Sequence, residues 1–138
     1  MTAQQNKANY RRIIEEVWNQ GNLALADELC SPNYIGHDPS MTLRGLEQFK
    51  QYVAAYRNAF PDTRMTIEEE IAEGDIVVIR WISSGTHQGN LMGIPPTGKQ
   101  IRVTGMSMIR FVNGKCEEAW FNYDTLGMMQ QLGVLPAM

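Results

Sequence analysis

Residues 101–123 read IRVTGMSMIRFVNGKCEEAWFNY, and this stretch decides the fold. Asn113-Gly114 is the strongest hairpin signal in the chain, because a two-residue type I′ turn needs positive φ at both central positions. The apolar residues on either side predict one strand from Ile101 to Val112 and a last strand from Lys115 to Tyr123. The stretch therefore predicts an antiparallel hairpin near the end of the chain.

Two further strands are predicted upstream of the hairpin. Residues 63–72 form one candidate, and the turn at residues 73–75 leads into the apolar run of residues 76–82. A Gly- and Pro-rich stretch, residues 89–98, connects that run to the hairpin. Together these segments predict an antiparallel meander.

The first sixty residues show a helical period instead. Tyr10, Ile13, Ile14, Val17 and Trp18 fall on one helical face, and Thr2 with Gln5 forms a candidate capping box. The first predicted helix ends at Gly21-Asn22, and a short second helix, capped by Asn22, runs through Leu25, Ala26 and Leu29 until Pro32 stops it. An extended piece at residues 33–37 and a third helix from about Gly45 to Phe60, before Pro61, follow. After the hairpin, a last helix is predicted from Thr125 to Leu132. Helices followed by a meander predict one α+β domain, residues 1–138, with N-terminal helices packed on a curved antiparallel sheet and a short C-terminal helix.

Composition and charge exclude several classes of protein. The 138 residues, 43% hydrophobic and 20% charged, are typical of one soluble globular domain. The net charge of −3 comes without a basic stripe, so we expect no nucleic-acid partner. No apolar run has transmembrane length, so we expect no membrane association. The start of the chain lacks a secretory signal, and Cys30 and Cys116 lack metal-ligand spacing, which predicts reduced thiols in a cytoplasmic protein.

Asp124 closes the aromatic-rich last strand and opens the terminal helix. A carboxylate walled by Trp, Phe, Tyr, Leu and Met is poorly hydrated, and desolvation would raise its pKa toward the range where Asp acts as a base. Asp is also among the best helix N-caps, so a capping role needs no catalysis. Both interpretations of Asp124 stay open on the residues alone.

Few other polar residues have catalytic potential: Tyr34, His37, Asp38, Arg80, His87, Asn122 and Tyr123. In an extended strand Trp120, Asn122 and Asp124 point to one face, so Asn122 could share a cavity with Asp124. For His87 and Arg80 the residues alone favour a structural role, as a satisfied strand-end histidine and as an exposed or ion-paired arginine. His37-Asp38-Pro39 and His87 lie on separate elements, and no His-x-His or His-x-x-x-His spacing joins the histidines, so we expect no metal. The methionines, Met106 among them, are expected in the core or lining a cavity.

In several predicted strands apolar residues occupy both odd and even positions, and so both faces of the strand, as in residues 76–82 and 106–111. An antiparallel sheet with one wet face should alternate instead. One face is therefore expected to pack on the helices and the other to meet a second subunit, which makes a homodimer our hypothesis.

Several short motifs resemble those of a known family. They are Leu43-Arg44-Gly45, Gly85-Thr86-His87-Gln88-Gly89, the run MGIPPTGK at residues 92–99, Arg110-Phe111 with Asn113-Gly114-Lys115, and Trp120 … Asp124 … Gly127 … Gln131-Leu132-Gly133. With helices first and a meander next, the chain resembles the SnoaL-like polyketide cyclases of the nuclear-transport-factor-2-like superfamily over nearly its whole length.

The resemblance implies a cone-shaped α+β barrel whose mouth holds an aromatic substrate, without cofactor or metal. It also implies that Asp124 is the base and that His87 lines the site. One departure is that the cyclases carry Asn-Pro after the tyrosine of the first strand, where this chain reads Tyr34-Ile35-Gly36-His37-Asp38-Pro39. Asp38, or His37 if the register shifts, would replace that asparagine. A second carboxylate near Asp124 would raise one pKa of the pair and favour a substrate other than an anthracycline precursor.

These observations lead to a functional hypothesis, intramolecular aldol-type ring closure of an apolar or aromatic small molecule. Asp124 would remove a proton next to a carbonyl group, and His87, with Asn122 or Tyr34, would hydrogen-bond the oxyanion. The residues expected to bind substrate are Tyr34, His37, Asp38, Trp81, Met106, Trp120 and Asn122. The alternatives are an isomerase or epoxide hydrolase in the same cavity, or a non-catalytic protein that binds a small hydrophobic ligand.

Overall fold

The helices and strands of the protein follow the predicted order, with one short strand, Thr42–Arg44, that was not predicted. The computed structural model describes residues 2–135. The helices are α1 (Ala3–Arg12), α2 (Ala26–Leu29), α3 (Leu46–Ala59) and α4 (Thr125–Leu132), and the strands are β1 (Cys30–His37), β2 (Thr42–Arg44), β3 (Arg64–Glu73), β4 (Ile76–Thr86), β5 (Gln100–Val112) and β6 (Lys115–Tyr123). Within residues 2–135, no helix is long and apolar enough to cross a membrane. The predicted α+β class is confirmed.

The N-terminal helix begins as predicted but changes its geometry halfway. Thr2 and Gln5 form the capping box, with each side chain accepting the other's backbone N–H. From Ile13 to Trp18 the chain is π-helical, a geometry that is rare and concentrates at functional sites. At the end of this π-helical segment, Nη1 of Arg57 donates hydrogen bonds to the backbone carbonyl oxygens of Trp18, at 2.8 Å, and Asn19, at 2.9 Å. Asn22 does not cap with its side chain, because a three-residue 3₁₀ turn and not an α-helix begins there.

The sheet has six strands in the order β2-β1-β6-β5-β4-β3 and is not closed. The predicted meander β3 to β6 is antiparallel throughout, whereas β1 pairs with β6 in parallel. This pairing brings Cys30 and Cys116 into register as neighbouring, buried free thiols. It also places the C-terminal ends of β1 and β6 at the same end of the sheet, which is where the candidate site lies.

The two faces of the sheet differ in what covers them. Along β5 alternate residues are buried against the helices, and the intervening ones are exposed. Met106 and Met108 on the outer face are 53% and 39% exposed. Arg80 also lies on this face and pairs with Glu69 at 2.6 Å, the structural ion pair that its sequence context favours. The inner face with α1, α3 and α4 encloses the hydrophobic core.

Gly105 in β5 makes room for the ring of Trp81 on the inner face. A Cβ at position 105 would lie 2.4 Å from Cζ2 of Trp81, which is closer than carbon atoms can approach. Only glycine lets this large ring lie against the neighbouring strand.

We predict that Gly105→Ala lowers the free energy of unfolding by about 1–3 kcal/mol, the usual cost of overpacking a core. Urea denaturation measures it. The double variant Gly105→Ala/Trp81→Phe should recover much of the loss, because the smaller ring leaves space for the methyl group. Equal losses in the single and double variants would contradict the steric explanation.

Candidate active site

Two adjoining cavities lie between the helices and the inner face of the sheet. The inner cavity is lined mainly by aromatic side chains: Trp18, Tyr52, Tyr56, Phe60, Trp81, Phe121 and Tyr123. The outer pocket is lined by Asp38, Leu43, Gln48, Gln51, Asn90, Leu91 and Met92 among others. Tyr52, Tyr56 and Tyr123 line both and form the wall between them.

The two cavities differ in the space they offer. The inner cavity provides about 50 Å³ for the centre of a water-sized sphere, which is enough for a few waters. The outer pocket provides about 360 Å³, which is in the range of small-molecule sites. A substrate therefore fits the outer pocket, with the aromatic cavity as a narrow extension beyond the tyrosine wall.

A hydrogen-bond network centred on Asp38 fixes the tyrosine wall. Oδ1 of Asp38 accepts hydrogen bonds from the hydroxyls of Tyr52, at 2.6 Å, and Tyr123, at 2.8 Å. Oδ2 accepts from the backbone N–H and the hydroxyl of Ser40, at 3.0 and 2.9 Å. The hydroxyls of Tyr56 and Tyr123 lie 3.0 Å apart. One carboxylate thus accepts four hydrogen bonds.

Local sequence explains why these groups meet. Asp38 follows the end of β1, and the Asp-Pro-Ser turn lets its side chain bond to Ser40. Tyr52 and Tyr56 are four residues apart in α3 and so share one helical face. Tyr123 is the last residue of β6, whose parallel partner is β1.

Burial keeps the three phenols protonated. It is the main cause that raises the pKa of Tyr52, Tyr56 and Tyr123 above the usual value, and the nearby Asp38 carboxylate raises each further. A protonated phenol is a hydrogen-bond donor. The wall therefore presents neutral hydroxyl donors and not phenolates.

Asp124 occupies the helix-capping position, and the prediction that it is a desolvated carboxylate is wrong. The side chain is exposed, and Oδ1 accepts the backbone N–H of Gly127 at 2.8 Å. It lines neither of the two described cavities, although its neighbour Tyr123 lines both. The backbone turns out of the strand at Asp124, with ψ at 75°, so the carboxylate points to the start of α4.

His87 anchors a loop beside the site. It is completely buried, its ring centroid lies 5.4 Å from that of Phe60, and it lines neither described cavity. Nδ1 accepts the backbone N–H of Thr97 at 3.2 Å. This bond holds residues 88–98, which supply Asn90, Leu91 and Met92 to the outer pocket. Nε2 is buried without a hydrogen-bond partner within residues 2–135.

The other predicted binding residues divide between the core and the outer face. Trp81 lines the inner cavity and donates to Ser107 at 2.9 Å, whereas Tyr34 is buried in the core outside both cavities. His37, Met106, Trp120 and Asn122 lie on the outer face, which corrects their predicted place in the cavity. Trp120 and Asn122 do share one face of β6, as predicted, but the cavities lie on the opposite face, which carries Phe121 and Tyr123.

Sequence reasoning missed Tyr52 and Tyr56 as site residues. The signal was two tyrosines four residues apart within the helix predicted from about Gly45 to Phe60. Hydroxyl groups on a buried helical face need partners, which could have indicated a polar site beneath it.

The sequence matches the family profile described as SnoaL-like polyketide cyclase over residues 8–132. The chain belongs to the SnoaL-like polyketide cyclase family. This SnoaL-like protein is 35% identical to aklanonic acid methyl ester cyclase DnrD of Streptomyces peucetius, over 77% of this chain and 72% of the relative. It is 29% identical to the nogalonic acid methyl ester cyclase of Streptomyces nogalater, over 84% of this chain and 89% of the relative.

Solved structures share the fold of this SnoaL-like chain. IdmH of Streptomyces antibioticus is 29% identical with a TM-score of 0.81, covering 94% of this chain and 99% of IdmH. TsrD of Streptomyces laurentii is 24% identical with a TM-score of 0.89, covering 98% and 99%. The second likeness supports the cone-shaped fold alone.

We predict that Asp38→Ala destabilises the protein by about 1–3 kcal/mol, because the hydroxyls of Tyr52 and Tyr123 lose their shared acceptor in a largely buried setting. Asp38→Asn should lower the free energy of unfolding less, since the amide oxygen can still accept hydrogen bonds from both hydroxyls. Denaturant unfolding compares the two variants, and equal losses would contradict the role of Asp38 as an acceptor.

Proposed function

We propose that this protein catalyses intramolecular aldol-type ring closure of a polyketide-like carbonyl compound. The observation that carries the proposal is a pocket of about 360 Å³ with tyrosine hydroxyls and a carboxylate on its wall. An apolar carbonyl compound fits such a wall, because its carbon skeleton packs on the rings while its oxygens accept hydrogen bonds. Membership of the cyclase family supports the same reaction class.

The reaction moves a proton and forms one carbon–carbon bond. A carboxylate removes a proton from the carbon next to a carbonyl group, and the resulting enolate attacks a second carbonyl carbon of the same molecule. Neither electrons nor groups pass between the substrate and another reagent, so this chemistry needs no redox or group-carrying cofactor. The pocket contributes by holding the two reacting carbons close together.

Two carboxylates compete for the role of base. Asp38 accepts four hydrogen bonds, two at each oxygen, so both of its oxygens are already occupied by donors of the protein. Asp124 accepts one through Oδ1, and within residues 2–135 nothing donates to its Oδ2. This difference and the family resemblance support Asp124 as the base, with substrate covering it on binding.

Aklanonic acid methyl ester is a rational first substrate, because a relative's name specifies it. Chromatography with mass and NMR detection should reveal a ring-closed product of unchanged mass. Incorporation of oxygen from isotopically labelled water would indicate an epoxide-hydrolase-like reaction instead. Tight binding without conversion of this or other polyketide esters would favour a non-catalytic binding protein.

We predict that Asp124→Asn lowers kcat by roughly 10²-fold or more, because the base is lost while asparagine still caps α4. Single-turnover assays of the purified variant measure the rate. Asp124→Ala, which also loses the cap, should be less stable by about 1 kcal/mol. Undiminished turnover by Asp124→Asn would eliminate this residue as the base without changing the proposed reaction.

We also propose that the outer face of the sheet joins two copies of the chain. Ile71, Val78, Met108, Trp120 and His37 form one row across five strands, because each is the register neighbour of the next. Ile71 is 66% exposed, and monomeric proteins rarely leave a contiguous apolar surface to water. A second copy would cover this row by packing sheet against sheet.

We predict that Met108→Lys shifts the molar mass measured by light scattering from dimer to monomer at micromolar concentration, because a charge would be buried in the apolar row. Gln20→Lys adds the same charge at an exposed turn after the first helical segment, away from the sheet's outer face, and should leave the molar mass unchanged. A wild-type mass equal to the monomer would remove the dimer hypothesis.

A further inference from the structure

The hydrogen bonds of the tyrosine wall have a fixed direction. A phenol has one proton, and that of Tyr123 is donated to the Asp38 carboxylate. Between the hydroxyls of Tyr56 and Tyr123, Tyr56 must therefore be the donor. Protons point along the chain from Tyr56 to Tyr123 to Asp38, and Tyr52 donates to the same carboxylate oxygen.

The acceptors of the three hydroxyls differ in charge. Tyr52 and Tyr123 donate to a carboxylate, and charge-assisted hydrogen bonds of this kind are roughly twice as strong as neutral ones. Tyr56 donates to the neutral oxygen of another phenol. An oxyanion entering the pocket would compete successfully for the Tyr56 proton, whereas for the other two it would have to displace Asp38.

We propose that Tyr56 is the catalytic residue that donates a hydrogen bond to the oxyanion formed during ring closure, and that Tyr123 and Asp38 are positioning residues. The inference rests on the proposed aldol reaction. Tyr56 lines both the outer pocket and the inner cavity, so a molecule bound in either contacts this side chain. His87, for which sequence predicted this role, is buried and lines neither described cavity.

The position of Tyr56 suits a donor that must remain neutral. Burial and the nearby Asp38 charge raise the pKa of Tyr56, so the hydroxyl keeps its proton at neutral pH. Asp38 also lines the outer pocket and would repel an oxyanion, but four hydrogen bonds disperse its charge. A fixed donor in a partly dry pocket stabilises a developing charge more than water does.

The step balances within the substrate and the carboxylate base. The base takes the proton as the carbon–hydrogen bond breaks, and that electron pair forms the new carbon–carbon bond. The π electrons of the attacked carbonyl move to its oxygen, where Tyr56 donates its hydrogen bond. The protonated base then returns the proton to this oxygen, so that product has the atoms of substrate.

A naphthol tests the oxyanion site without turnover, because its fluorescence reports whether its hydroxyl is ionised. Wild-type protein should bind the naphtholate more tightly than Tyr56→Phe does, by roughly tenfold, the value of one hydrogen bond to a charged group. Binding of the neutral naphthol should change little. Wild-type protein that shows no preference for naphtholate over neutral naphthol would overturn the proposal even if Tyr56→Phe fails to fold.

Kinetics with the cyclisation substrate give the second readout. Tyr56→Phe should lower kcat by roughly 10²-fold with a KM within a few-fold of wild type, as for loss of one oxyanion donor. Tyr34→Phe removes a buried phenol outside both cavities and should leave kcat unchanged. Tyr52→Phe should lower kcat less than Tyr56→Phe does, because Asp38 keeps its three other hydrogen-bond donors.

The two readouts separate the two proposals. Unchanged kcat and naphtholate affinity in folded Tyr56→Phe would overturn the role of Tyr56 while ring closure by wild type stands. Absence of ring closure together with Tyr56-dependent naphtholate binding would reject the aldol reaction and keep the oxyanion site. A kcat loss matched by an equal rise in KM would assign Tyr56 to substrate binding and overturn its catalytic role.

Discussion

The carboxylate of Asp38 joins three elements that sequence alone does not connect. It follows β1, accepts Tyr52 from α3 and accepts Tyr123 from the end of β6. This half-buried carboxylate is well satisfied, because each of its oxygens accepts two hydrogen bonds, from two phenols at Oδ1 and from Ser40 at Oδ2. The same saturation holds the phenols in place, and so the wall between the two cavities has a defined shape before any ligand binds.

The parallel pairing of β1 with β6 is what makes this network geometrically available. Had β1 run antiparallel to β6, the chain after His37 would emerge at the opposite end of the sheet from Tyr123. The long route from β1 through β2, α3 and three further strands to β6 gives no local signal of this pairing. The hairpin between β5 and β6, in contrast, is signalled by the two residues Asn113-Gly114. Local turn chemistry was therefore predictable, and the pairing of distant strands was not.

The same distinction explains which site residues could be predicted. The period-2 rule correctly separated Phe121 and Tyr123 from Trp120 and Asn122, whereas Asp124 lies beyond the end of the strand. It did not reveal which set faces the helices, because both sets contain aromatic residues. A one-residue ambiguity of this kind moves every side chain to the other face. His37 and Met106 were misplaced for the same reason, since the outer face is also apolar, with His37 stacked on Trp120 at 5.4 Å.

The two aspartates illustrate how hydrogen bonding separates an anchor from a base. A carboxylate oxygen that already accepts hydrogen bonds from the protein is less available to a bound molecule. Both oxygens of Asp38 are occupied by four donors, whereas Asp124 has one donor on Oδ1 and an unoccupied Oδ2 among the described residues. Burial alone would have favoured Asp38, because it lines the pocket. Counting donors favours Asp124 as the proposed base, and Asp38 then acts as the fixed acceptor that orders the hydroxyls of Tyr52 and Tyr123.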